Sequence, residues 1–267
     1  MSHFKRMARV LFWLAAMLNL SACVTVESPN SLARNRDPDK AVDTYVKLGI
    51  RYLQQRNMDD ASRTLNRAYE IKPEDPSVNN ALALFYTVEN EPEQVIKHYE
   101  AALEEDPGFS TARNNYAAFL YEQQQYQKAI EQLEVAVKDY SYTRRYQSYE
   151  NMGMCYLQLG DPQSAEKAFK RALQLNPRMP KSLVEMADIS FRKEEYRAAN
   201  FYLTQLDKLG IKPNARLLWL EIQLSRVTGD KNKLASLELA LKNLFPNSPE
   251  YKQYLESVQD DQPKVTE

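Results

Sequence analysis

One order of residues recurs along this chain and leaves little choice of fold. From Tyr149 it runs Gly153, Tyr156, Ala165, Phe169, Ala172 and Pro177. From Tyr45 it runs Gly49, Tyr52, Ala61, Leu65, Ala68 and Pro73, at matching intervals. Small residues at the eighth, twentieth and twenty-seventh positions let two paired helices approach closely. The aromatics fill the gap between neighbouring pairs. Pro ends the second helix, because it lacks an amide hydrogen and clashes with the preceding turn. Within the unit, Gly160-Asp161-Pro162 reads as a helix-ending Gly, an N-cap Asp and a Pro at the first helical position.

The order returns six times, over residues 42–75, 76–109, 110–145, 146–179, 180–215 and 216–248. Repeats three and five each carry two extra residues, and repeat six is framed on Trp219, Ile222, Ala235, Leu239 and Pro246. A period of ~34 residues with this pattern is that of tetratricopeptide (TPR) repeats. The expected fold is all-α, a superhelical solenoid of six helix-turn-helix repeats. Residues 249–267 read as a C-terminal capping helix and a disordered tail, and residues 23–41 as a flexible polar tether.

The N-terminus has a different character. Lys5, Arg6 and Arg9 precede a short apolar run from Val10 to Leu20. That run is well below the ~20 residues needed to span a bilayer, and with its basic start it reads as a cleaved signal peptide, residues 1–22. Leu20-Ser21-Ala22-Cys23 resembles a bacterial lipobox, which implies cleavage before Cys23 and lipidation of its thiol. A plain secretory signal cut near Ala22, or an uncleaved anchor, are the competing readings. A lipid on Cys23 would anchor the chain to a membrane. Val24, where an Asp often signals inner-membrane retention, favours the outer membrane and its periplasmic face.

Removing the signal leaves 32 Lys and Arg against 36 Asp and Glu, a formal charge of about −4. A weakly acidic chain without a basic block is a poor nucleic-acid binder. With Cys23 lipidated, Cys155 has no partner for an intrachain disulfide, and its place in repeat four reads as a small buried thiol. His98, on the second helix of repeat two, reads as a surface side chain. Glu104, Glu105 and Asp106 read as solvated charge. No phosphate loop, nucleophile elbow or metal-spaced cluster is present, so neither catalysis nor a metal or cofactor is expected.

Function should then reside on the concave face, lined by the first helix of each pair. The positions expected there include Val46, Ile50, Leu53, Leu84, Val88, Tyr121, Met154 and Leu157. Apolar side chains exposed in such numbers mark a site for a protein partner. Asn80 and Asn114, at one position of successive repeats, are placed to hydrogen-bond the backbone of an extended peptide. Lys181 and Arg192 are too few cations for a chaperone-type carboxylate clamp. Leu217, Leu220 and Leu224 of repeat six either join the groove or pack under the C-terminal helix. A possible interface loop holds Tyr140, Tyr142, Arg144 and Arg145, residue types favoured at hot spots. The alternative there is a lengthened turn whose tyrosines pack locally. Nothing suggests self-association, so the chain is expected to be monomeric by itself.

Three segments carry a resemblance. Arg113-Asn114-Asn115-Tyr116-Ala117-Ala118-Phe119-Leu120, Asn151-Met152-Gly153-Met154-Cys155 and Trp219-Leu220-Glu221-Ile222 are similar to segments of the type IV pilus biogenesis lipoproteins of the PilF/PilW kind. Ala117 stands where that family has Gly. The resemblance implies a pilotin, which binds outer-membrane secretin subunits and promotes their localisation or multimerisation. The other job open to a TPR lipoprotein is that of an adaptor for peptidoglycan hydrolases or outer-membrane protein assembly.

Overall fold

The computed structural model describes residues 37–260. The expected signal peptide, Cys23, most of the expected tether and the expected tail lie outside the described residues. Within them every regular element is a helix. The six antiparallel pairs are α1 (Pro38–Gln54) with α2 (Met58–Ile71), α3 (Pro76–Glu89) with α4 (Pro92–Glu105), and α5 (Ser110–Glu122) with α6 (Tyr126–Ala136). They continue with α7 (Arg145–Gln158) and α8 (Pro162–Leu175), α9 (Pro180–Arg192) and α10 (Tyr196–Asp207), and α11 (Ala215–Thr228) and α12 (Lys231–Leu244). A single helix, α13 (Pro249–Asp260), follows.

Local chemistry fixes the helix ends. The Asp75 carboxylate accepts from the amides of Ser77 and Val78 at 2.8 and 3.2 Å, and Pro76 follows at the first helical position. Asp161 and Asp230 cap α8 and α12 in the same way. The turn inside each pair needs one left-handed residue. Gly160 and Gly229 supply it at φ 73° and 77°. Arg56, Gln124 and Glu194 adopt it at φ 56°, 57° and 61°, where a side chain is strained.

The recurring apolar positions make the core. Ala61, Leu65 and Ala68 of α2, Ala129, Leu133 and Ala136 of α6, and Ala165, Phe169 and Ala172 of α8 are fully buried, and α4 buries Val95, Tyr99 and Ala102 at the same places. In α2, α6 and α8 the two alanines on this face let the partner helix pack close.

Three expectations need correction. The tether does not extend to residue 41: α1 begins at Pro38, with the Asp37 side chain accepting from the Asp39 amide. Repeat six runs one residue earlier than its sequence frame. Leu218, Ile222 and Leu241 form its core, while Leu239 is 60% exposed. Trp219 imitates the aromatic of the fourth position but packs edge-on against Tyr254 of α13 instead. Leu217, Leu220 and Leu224 neither join the groove nor lie under α13; they pack on Leu183, Ala187 and Leu203 of repeat five.

Candidate functional site

A ladder of polar side chains joins the first helices of repeats two to six. The Asn115 amide donates to Asn80 Oδ1 at 3.0 Å. Ser148 Oγ and Asn151 Nδ2 donate to Asn114 Oδ1 at 2.9 and 3.2 Å. The Ser182 amide and hydroxyl donate to Glu150 Oε2 at 3.1 and 2.7 Å. Arg216 forks onto Glu185 at 2.6 and 2.8 Å and reaches Asp188 at 3.3 Å. The two carboxylates keep the guanidinium charged and push its pKa up, the hydrogen bond to Glu185 most of all. These rungs hold the first helices side by side and parallel, so their exposed faces form one concave surface.

Asn80 and Asn114 are therefore not free groove residues. Both are buried, and their oxygens serve the neighbouring repeat. Val46 is also withdrawn, buried with Val42 and Leu65 in the core of repeat one. The other expected positions stay on the surface. Ile50, Leu53, Leu84, Tyr121, Met154 and Leu157 are half-buried, and Val88 is 57% exposed. Tyr121 leans edge-on against Tyr126, with ring centres 5.3 Å apart.

Two clefts open on this face. The larger, about 660 Å³, spans repeats four to six. Met154, Leu157 and Ile189 are among its apolar lining, and Glu185, Arg192 and Arg216 among its charged lining. The smaller, about 370 Å³, lies between repeats two and three against Leu84, Thr87, Ala118 and Phe119. Among the described residues no group of three or more His, Cys, Asp or Glu is arranged to hold a metal ion. Cys155 is fully buried, and burial pushes its thiol up to about 12.

The loop before α7 divides its residues. Tyr140 projects at 85% exposure with the Arg145 guanidinium 4.5 Å from its ring centre, and Arg144 is exposed. Tyr142 turns inward and is half-buried, with its phenol pKa raised by burial, so it belongs to the packing.

His98 is not a surface residue. Its Nδ1 lies 2.9 Å from Asn79 Oδ1, and its ring stacks on Tyr86 at 5.4 Å. Asn79 Nδ2 donates to the Pro73 and Asp75 carbonyls, so its oxygen must face the imidazole and Nδ1 must carry hydrogen. The histidine sits one residue before Tyr99, at the seam between repeats one and two. Sequence periodicity did not mark that seam as buried.

The fold and its open groove define a TPR scaffold, a protein that works by presenting a surface to other proteins. Models of the tetratricopeptide repeat match residues 46–108, 89–148 and 146–179. The type IV pilus assembly protein PilF of Pseudomonas aeruginosa is 37% identical over 247 residues, covering 92% of this chain and 97% of that protein. The chain belongs to the PilF family of TPR proteins. The solved structure of Pseudomonas aeruginosa PilF superposes with a TM-score of 0.80 at 36% identity, over 83% of this chain and 100% of that one. PilW, described as a widely conserved type IV pilus biogenesis factor, shares the fold at 21% identity and a TM-score of 0.68, over 80% of this chain and 98% of its own.

Proposed function

We propose that this chain is a lipid-anchored scaffold for type IV pilus biogenesis. It acts at the periplasmic face of the outer membrane, where its groove binds secretin subunits and promotes their localisation or multimerisation. The observation that carries the reading is kinship with PilF along nearly the full length of both chains. Two features of this chain support it. The lipobox-like Leu20-Ser21-Ala22-Cys23 provides a membrane address through Cys23, and Met154 and Leu157 stand half-buried in an open cleft. An apolar cleft floor of this kind favours an apolar segment of a partner.

The test is complementation in a strain that lacks this protein, with secretin multimers read in separated membranes. Cys23→Ser should leave secretin unassembled or in the wrong membrane. Met154→Lys with Leu157→Lys should reduce secretin co-purification without releasing the scaffold from the membrane. Normal outer-membrane multimers in both variants would overturn the reading. Recovery of peptidoglycan hydrolases in place of secretin would replace it with the adaptor role.

A further inference from the structure

The side-by-side first helices put every linker between repeats on one edge of the solenoid. The rungs from Asn80 to Asn115, Asn114 to Ser148 and Glu150 to Ser182 all lie in the first two turns of those helices. Charge along this edge changes sign halfway. The first half carries Glu74 and Asp75, then Glu104, Glu105 and Asp106. Its cations are engaged: Lys72 bonds Asp39, and Arg113 bonds the Pro107 carbonyl and Gln132.

The second half is basic. The linker before α7 brings Lys138, Arg144 and Arg145, the next brings Arg178 and Lys181, and the last brings Lys208 and Lys212. None of these seven forms an ion pair among the described residues. Asp139 and Asp207 are the acids within these linkers and their helix ends, and Asp139 turns onto Ser110 and Ser141; beside Lys181, Glu150 is taken by Ser182 and Glu185 by Arg216. Each linker or adjoining helix end also exposes apolar surface: Val135 and Tyr140, then Leu175, then Ile211.

We propose that this edge of repeats four to six is a second docking strip, separate from the groove, for an acidic segment of a protein partner that also carries apolar side chains. Charge complementarity selects the acidic partner. These apolar side chains, present at every linker, select a polypeptide over a uniform charged surface. A bilayer of anionic lipid fits poorly, because the acidic half of the same edge would face it. Adjacent helices pack roughly 8–10 Å apart, so the three linkers span roughly 20 Å. That is the length of roughly six extended residues at ~3.3 Å each. The smaller groove cleft sits toward the opposite ends of the first helices, at Thr87, and the larger runs from Arg192 to Arg216 in the first turn of α11, where that arginine is engaged by Glu185 and Asp188.

The test uses the full chain carrying Cys23→Ser in every arm, so that no lipid anchor contributes. The probes are a fluorescein-labelled peptide of alternating Glu and Leu, its Lys-for-Glu counterpart, and phosphatidylglycerol vesicles. Fluorescence anisotropy should show binding of the acidic peptide alone, weakening as salt rises. Arg144→Glu, Arg178→Glu and Lys212→Glu together should weaken it at least about tenfold, the scale expected for reversed contact charges. Glu104→Lys with Glu105→Lys should not weaken it. Circular dichroism checks folding, and Arg178→Gln with Lys212→Gln serves if the triple variant fails to fold. Unchanged affinity in the basic-edge variants, no binding of the acidic peptide, or vesicle binding in its place would overturn the proposal.

Discussion

Gly153 and Phe169 touch so closely that no side chain fits between them. A Cβ built on Gly153 would stand 2.6 Å from Cε1 of the Phe169 ring, and that ring is fully buried. Gly153→Ala gains helix propensity of about 1 kcal/mol. It also drives a methyl into a ring with nowhere to go, at a cost of about 1–3 kcal/mol. The expected result is a lower urea midpoint. Phe169→Leu, destabilising by itself, should cost less when combined with Gly153→Ala than the two separate losses added together.

The strained turns predict the opposite sign. Gln124 and Glu194 hold the left-handed position that Gly160 holds in repeat four. Gln124→Gly and Glu194→Gly relieve about 1–2 kcal/mol of backbone strain each. Greater freedom of the unfolded chain offsets part of that by roughly 0.5–1 kcal/mol. Each should raise the thermal midpoint, whereas Gly160→Gln should lower it.

Glu185 is buried and Arg216 is its bidentate partner. Arg216→Ala leaves that carboxylate without its fork and should cost about 1–3 kcal/mol. Glu185→Gln combined with Arg216→Gln removes both charges and should cost less than Arg216→Ala. A double-mutant cycle by chemical denaturation measures the coupling.

His98 predicts a pH dependence. Burial holds its pKa below the ordinary histidine value, with nearby Lys97 adding to the effect. The folded state therefore prefers the neutral ring, and the unfolded state binds the proton more readily. Its contribution is present above the unfolded pKa, about 6.5, and is lost as pH falls through the lowered folded value. Between pH 8 and pH 5 the wild type should lose stability that His98→Gln does not lose.

Cys155 predicts a difference in labelling. With the thiol buried and its pKa pushed up to about 12, a maleimide should not react in the native state near neutral pH. Labelling should track global unfolding in a denaturant series. Rapid labelling of the folded chain would show that repeat four opens on its own.

The helix pairs were legible because the apolar residues that define them recur at a fixed period. Ala165, Phe169 and Ala172 occupy the buried positions that their spacing implies. Repeat six misled because Trp219 imitates the fourth-position aromatic, a place Leu218 holds in the core, while the Trp219 ring serves α13. Asn80 and Asn114 were placed in the right helices, but sequence does not reveal that their oxygens are already engaged. His98 looked polar and exposed because Asn79, its partner, lies on another helix. The basic edge escaped for a related reason. Lys138, Arg178 and Lys212 are far apart along the chain and meet only when the linkers align, so no local run announces them.

The rungs between repeats are not chemically alike. Toward the N-terminus they join amide to amide, then hydroxyl to carboxylate, and at the last junction guanidinium to carboxylate. Neutral rungs are indifferent to ionic strength, whereas the ion pair, with Glu185 buried and Arg216 half-exposed, is screened in part. The superhelix is therefore a spring of uneven temper. Its leading coils should keep their pitch as salt rises, while the last junction, still held by Leu217, Leu220 and Leu224 on repeat five, should loosen slightly. Any effect of salt on the groove should therefore be felt first at its far end.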